Sequence, residues 1–205
     1  MTTIMKRGLT LLLACGFVST TVVAAVPPQD LIKQTSQQMI KALQQEKTDL
    51  KKNPERVTQL VNEIVLPHFD FERMSRLALG RYWRRADEKQ RAEFVEQFRA
   101  LLVRTYRSAL TEYRDQTIKY LPFNDDLSGG DVTVKTEVEQ PGGSSIPIDY
   151  RLHTGSGEWK VYDVIIDGVS LVINYRTSFS SEIRQSGISG LIDKLRKRNQ
   201  EDGGG

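Results

Sequence analysis

The sequence predicts an α+β fold: a curved, four-stranded antiparallel sheet packed with one long helix and several shorter ones. Three observations carry that expectation. Apolar residues recur at helical spacing over residues 30–114, alternate over 117–166, and return to helical spacing from 171 to about 198. Helices and strands are therefore segregated along the chain, which favours an antiparallel meander with helices on one face over a doubly wound parallel sheet. The third observation is the length of the fourth helix, whose roughly 26 residues span about 39 Å. Such a rod needs a long partner surface.

The first 25 residues stand apart from this scheme. Lys6 and Arg7 precede an apolar stretch from Leu9 to Ala25 that contains no Asp or Glu and ends in Val23-Ala24-Ala25, with Pro27-Pro28 directly after. A charged start, an apolar middle and a small-residue exit make a secretory signal, cleaved near Ala25. The competing reading, a membrane anchor, needs a longer stretch and a charged stop. Leu12-Leu13-Ala14-Cys15 also resembles a lipoprotein cleavage box, although the apolar run continues past Cys15 to Val23.

The chain has 205 residues, 39% hydrophobic and 27% charged, with a formal charge of +3. Cleavage after Ala25 leaves 180 residues with 27 basic against 26 acidic groups and no cysteine. Disulfides, thiolate nucleophiles and cysteine metal sites are thereby excluded. The small, unclustered charge also speaks against a nucleic-acid binder. The expected organisation is one domain over residues 26–199 (helical over 26–115, sheet and last helices over 116–199), with a frayed tail at 200–205.

The first helix carries Ile32, Ser36, Met39, Ile40 and Leu43 on one stripe. Pro54 suits the first position of a second helix, with Val57, Leu60, Val61, Ile64 and Val65 on its stripe and Pro67 at its end. Asp70 can cap a third, short helix with Met74, Leu77 and Ala78, closed by Gly80. Asp87 and Gln90 form a capping box for the long helix, whose stripe is Phe94, Phe98, Leu101, Leu102, Thr105, Tyr106, Ala109 and Tyr113.

The strands are equally direct. Residues 117–123 are β-like, Val132, Val134, Thr136 and Val138 alternate, and so do Ile146, Ile148, Tyr150 and Leu152. Gln140-Pro141-Gly142-Gly143-Ser144 connects the latter two as a hairpin. A fourth strand covers residues 159–166, apolar on both faces toward its end. Gly168 lets the chain bend into a helix with Leu171, Val172, Tyr175, Phe179 and Ile183. A final helix carries Ile188, Leu191, Ile192 and Leu195, with cations in its last turns where the macrodipole favours them.

Residues that could carry chemistry are few. His68 and His153 lack neighbours at metal-ligand spacing, so no metal site is expected. Gly168-Val169-Ser170-Leu171 is not a nucleophile elbow. Asp163 reads as a structural aspartate satisfying a backbone donor, and no phosphate loop is present. Arg81-Tyr82-Trp83-Arg84-Arg85 interleaves cations with aromatics and reads as a loop with an edge facing a partner or lipid headgroups. An exported, thiol-free, histidine-poor chain rich in apolar side chains favours binding something greasy over catalysis.

Several segments together resemble the MlaC family, also called the toluene-tolerance family. They are Leu66-Pro67-His68-Phe69-Asp70-Phe71 leading to Leu79-Gly80-Arg81-Tyr82-Trp83, Leu101-Leu102-Val103-Arg104-Thr105-Tyr106, Trp159-Lys160-Val161-Tyr162-Asp163-Val164 with Gly168-Val169-Ser170-Leu171, and Gly187-Ile188-Ser189-Gly190-Leu191. The resemblance implies a fold similar to nuclear transport factor 2, with sheet and helices enclosing an apolar pocket for acyl tails. It further implies a monomeric periplasmic phospholipid carrier with no catalytic residue and no cofactor, the lipid being cargo. The implied partners are an inner-membrane ABC transporter with an MCE-domain subunit and an outer-membrane lipoprotein–porin complex, a circuit that maintains outer-membrane lipid asymmetry. Open alternatives are an exported hydrolase or isomerase using Tyr106, Tyr150 and Asp163, or a protein-binding adaptor.

If tails are buried, the expected place is between the long helix and the sheet. The candidate wall residues are Leu77, Ala78, Phe98, Leu101, Leu102, Tyr106 and Ala109 on helices, with Tyr150, Val161, Val164, Ile166, Val169 and Leu171 from the sheet and its exit. Val169, beside the bend at Gly168, is the candidate for the mouth.

Overall fold

The computed structural model describes residues 25–46, 48, 53, 55–111, 116–140, 142–155 and 157–201, without the side chains of 108–111. Residues 1–24 of the segment expected to be a cleaved signal, with Cys15, lie outside the described residues, as do Pro54, Tyr113, Pro141 and the end of the expected tail. Helix α1 covers Pro28–Gln45. Helix α2, Glu55–Leu60, widens into a π turn over Val61–Val65 and tightens into a 3-10 turn over Leu66–His68. Helix α3 is Phe71–Leu79 and helix α4 is Glu88–Thr111.

The caps follow the sequence. Asp70 Oδ1 accepts the Arg73 N–H at 2.8 Å at the start of α3. Before α4, the Asp87 N–H donates to Gln90 Oε1 (3.1 Å) and the Gln90 N–H to Asp87 Oδ1 (2.8 Å), the reciprocal capping box.

Among the described residues, the sheet has five strands in the order β1-β2-β3-β4-β5, every neighbouring pair antiparallel. They are β1 Thr117–Tyr120, β2 Asp131–Glu139, β3 Ile146–Thr154, β4 Trp159–Ile166 and β5 Val169–Ser170. The fifth strand corrects the expected four. Asp167 (φ 49°) and Gly168 (φ 76°) both adopt positive φ, the requirement of a tight primed hairpin turn, so Ile166 pairs with Val169 instead of leading into a bend.

Helix α5, Leu171–Glu201, holds both of the expected C-terminal helices, divided at Gly187. The φ of 73° and ψ of 179° there are accessible mainly to glycine, and they kink the chain between the two helical halves. Ser170 caps α5 by accepting the Ile173 N–H at 3.1 Å.

The long helix does not lie along the sheet. It packs against α3 and α5 through rings that interlock. Phe94 and Phe98 stack at 5.6 Å, Phe179 meets both edge-on at 5.4 Å, and Tyr175 meets Phe98 edge-on at 5.4 Å. Geometries of this kind add about 0.5–1.5 kcal/mol per pair beyond the area they bury. The helix that crosses the concave side of the sheet is α1. Its start is tied to the strand side by Gln29 Nε2 donating to the Leu121 carbonyl at 2.9 Å.

Candidate functional site

Between α1 and the sheet lies a partly open cavity of about 400 Å³, within the range usual for small-molecule sites. Helix α1 supplies Ile32, Thr35, Ser36, Met39, Ile40 and Leu43, and the α2–α3 junction supplies Val65, His68 and Phe69. The sheet supplies Ile118 from β1, Val138 from β2, Ile146, Ile148 and Tyr150 from β3, and Val161 and Ile166 from β4, with Gln116 and Gln140 at strand ends. The walls follow from periodicity: alternate residues of each strand face inward, and α1 turns its apolar stripe toward them.

The exposed Gln140 and half-buried Ile146 lie at one end of the cavity, the buried Ile32 and Val161 at the other. The mouth is therefore at the start of β3 and the floor toward the α2–α3 junction. Phe69 is set in the wall by backbone pairing, since the Asp70 N–H donates to the Val161 carbonyl at 2.9 Å.

Ser36 Oγ donates back to the Ile32 carbonyl at 2.6 Å and lies 2.6 Å from the Tyr120 hydroxyl, joining α1 to β1. Burial pushes the Tyr150 phenol up to about 12, helped by nearby Tyr120 and opposed by the Thr136 hydroxyl. Yet Tyr150 keeps some accessible surface. A desolvated phenol with accessible surface is one facing an enclosed space. Burial also lowers the pKa of His68 in the side wall, and the charge of Lys160 adds to the effect.

Of the residues expected to line a pocket, Tyr150, Val161 and Ile166 meet in this cavity. Leu77, Ala78, Phe98, Leu101 and Leu102 do not. They sit in or against the closed core between α3, α4 and α5, where Phe98 is 0% exposed and Leu101 1%. Tyr106 packs against both that core and the sheet core, forming part of the partition between them. Val164 and Leu171 are packed into the sheet core, and Val169 is 53% exposed beside the rim residue Ile166. The side chain of Ala109 lies outside the described residues. Among the described residues, those expected on the long helix are packed into a core, and the cavity that Tyr150, Val161 and Ile166 line lies under α1 instead.

The wall residues of α1 were visible in the sequence only as a helical stripe. The clue is Ser36 within that stripe, a small hydroxyl where a closed core would place a larger apolar group.

The remaining polar features are structural. Asp163, 1% exposed, accepts from Ser170 Oγ at 2.7 Å and from the Val172 N–H at 3.3 Å, which fixes the start of α5. His153 Nε2 lies 2.7 Å from Asp70 Oδ2, whose other oxygen caps α3. Asp163 is committed to the start of α5, whereas Tyr106 and Tyr150 both pack against the sheet core. Among the described residues, no group of three or more His, Cys, Asp or Glu could hold a metal, and no helix is long and apolar enough to cross a membrane. Tyr82 and Trp83, expected at an exposed edge, are 5% and 7% exposed. They are core side chains, with Arg81 and Arg91 lying over their rings at 5.0 and 5.4 Å.

Comparison with known proteins fits this geometry. The family model described as MlaC protein matches residues 33–197. The toluene tolerance protein ttg2D of Pseudomonas putida is 32% identical, with 98% of this chain and 95% of that one covered. The intermembrane phospholipid transport system binding protein MlaC of Haemophilus influenzae is 26% identical, covering 92% and 90%. A solved phospholipid-binding protein from Ralstonia solanacearum, in complex with a phospholipid, superposes with a TM-score of 0.79 at 32% identity, over 86% of this chain and 98% of that one. With its matched span, its sheet of inward-facing aliphatic residues and its helix-covered cavity, the chain belongs to the MlaC family.

Proposed function

We propose that this protein is a soluble, monomeric periplasmic phospholipid carrier that buries acyl chains under α1 and leaves the headgroup at the mouth. The observation that carries the reading is the apolar cavity of about 400 Å³ between α1 and the sheet, in a chain similar to a protein solved with a phospholipid bound. Each methylene removed from water is worth roughly 0.8 kcal/mol, so a two-chain lipid with about 30 methylenes represents ~24 kcal/mol gross. A carrier must return most of that through a dry apolar surface, and aliphatic walls do so.

The proposed route runs between an outer-membrane lipoprotein–porin complex and an inner-membrane ABC transporter with an MCE-domain subunit, after export and cleavage near Ala25. The sequence carries no phosphate-loop motif with which nucleotide could force release. Direction then comes from partners that bind the loaded and empty forms with different affinity. No catalytic step is assigned.

Native mass spectrometry of the protein purified from cells tests this reading. A mass excess matching phospholipid is expected. A bare chain that turns over an ester substrate would replace the carrier with the enzyme reading.

A further inference from the structure

We infer that Tyr150 forms the β3 part of the floor of the cavity under α1, beside Val161 on β4 and Ile32 on α1, and sets the length of acyl chain that the protein retains. This rests on the reading that the cavity holds lipid tails. The argument is one of register. The inward-facing residues of β3 run Ile146, Ile148, Tyr150, Leu152 from mouth to interior, and the first three line the cavity. Leu152, one step deeper, is 0% exposed and belongs to the packed core.

The neighbouring elements close at a similar level, except that on β4 the lining reaches Val161, the partner of Leu152. On β2, Val138 lines the cavity, whereas Val134, the partner of Tyr150, is 0% exposed. On β4, Val164 pairs with Tyr150 from the other side and is packed into the same core. On α1 the wall ends at Ile32, where the helix start is held toward the sheet by Gln29. Tyr150 has the largest side chain among the strand residues in the wall, and past it the strand lining continues only at Val161, which pairs with Leu152.

The chemistry of the floor agrees. The Ser36 and Tyr120 hydroxyls, 2.6 Å apart, gather near this level, and desolvation of the Tyr150 phenol, with its pKa raised to about 12, marks it as enclosed. A methyl terminus reaching this level meets hydroxyl groups and, except beside Val161, a packed core, so further methylenes are disfavoured. Each methylene left in water disfavours the longer chain by about fourfold.

The experiment incubates the protein with phosphatidylethanolamine vesicles carrying equimolar lauroyl, myristoyl, palmitoyl and stearoyl chains, then reads the bound lipid by native mass spectrometry. Tyr150→Phe keeps the ring and should keep the wild-type chain distribution. Tyr150→Ala deepens the cavity and should shift it toward longer chains, by about fourfold for each extra methylene accommodated. Ile148→Phe raises the floor by one step of the strand and should shift it toward shorter chains. Lipid-loaded Tyr150→Ala and Ile148→Phe with the wild-type distribution would overturn the gauge while leaving the carrier intact. If Tyr150→Ala fails to fold, Ile148→Phe decides alone, a shorter distribution supporting the gauge and an unchanged one overturning it. A wild-type protein that takes up no lipid would overturn the underlying carrier reading.

Discussion

The space under α1 and the space between α3, α4 and α5 are walled by similar apolar residues, yet the first is open and the second is closed. In the closed region, Phe94, Phe98, Tyr175 and Phe179 reach across from facing helices and lock edge to face. In the open region, the sheet presents Ile118, Val138, Ile146 and Ile148, and α1 presents Met39 and Ile40 with the short Thr35 and Ser36 between turns. Branched aliphatic side chains cover a pleated surface well but do not extend far from it. Being hollow is therefore a matter of reach, not of hydrophobicity.

The largest contrast should appear in stability. Phe98→Ala opens a void in a rigid, ring-locked core and should cost about 3–5 kcal/mol, read by chemical denaturation. Ile40→Ala removes a side chain that already borders open space and so has fewer partner atoms to lose. It should cost no more than about 1–2 kcal/mol, and an equal cost at both positions would mean that the space under α1 is filled in solution.

Alkaline titration sharpens the same contrast from inside the cavity. The Tyr150 phenol, raised from 10 to about 12, stays neutral in the folded chain while the unfolded chain ionises. The unfolded state then binds fewer protons, so stability present below pH 10 is lost as pH rises toward 12. Relative to Tyr150→Phe, wild type should lose about 2–3 kcal/mol across that interval. Absorbance of tyrosinate should also show that this substitution removes a component titrating near 12.

The smallest stability effect and the sharpest functional one are expected together at Val169, which is 53% exposed next to rim residue Ile166. Val169→Glu should change unfolding by about 0.5 kcal/mol or less, while the charge at the rim abolishes lipid retention. Full lipid loading of this variant would remove Val169 from the mouth.

Much of this architecture was legible before any coordinates. Reciprocal capping by Asp87 and Gln90, the cap at Asp70, and the alternation of Ile146, Ile148, Tyr150 and Leu152 are local signals, and local physics decides them. The turn at Asp167-Gly168 was equally local and was missed, because glycine alone suggests a bend whereas Asp-Gly between apolar residues specifies a hairpin. The choice of partner was not legible. An apolar stripe says that a helix face is buried, not what covers it, so α4 could be matched to the sheet as readily as to α3 and α5. The wall residues on the strands, Tyr150, Val161 and Ile166, could be named because a strand has only two faces. Those on α1 could not, since the same stripe serves a closed core or an open wall.

The most direct measurement is a crystal structure of the protein as purified from cells, with its co-purified lipid in place. Electron density for acyl chains should run from Gln140 at the mouth past Ile148 and Met39 and stop at the level of Tyr150 and Val161. Chains lodged among Phe98, Leu101 and Phe179, or an α1–sheet space filled by the protein's own side chains, would contradict the assignment.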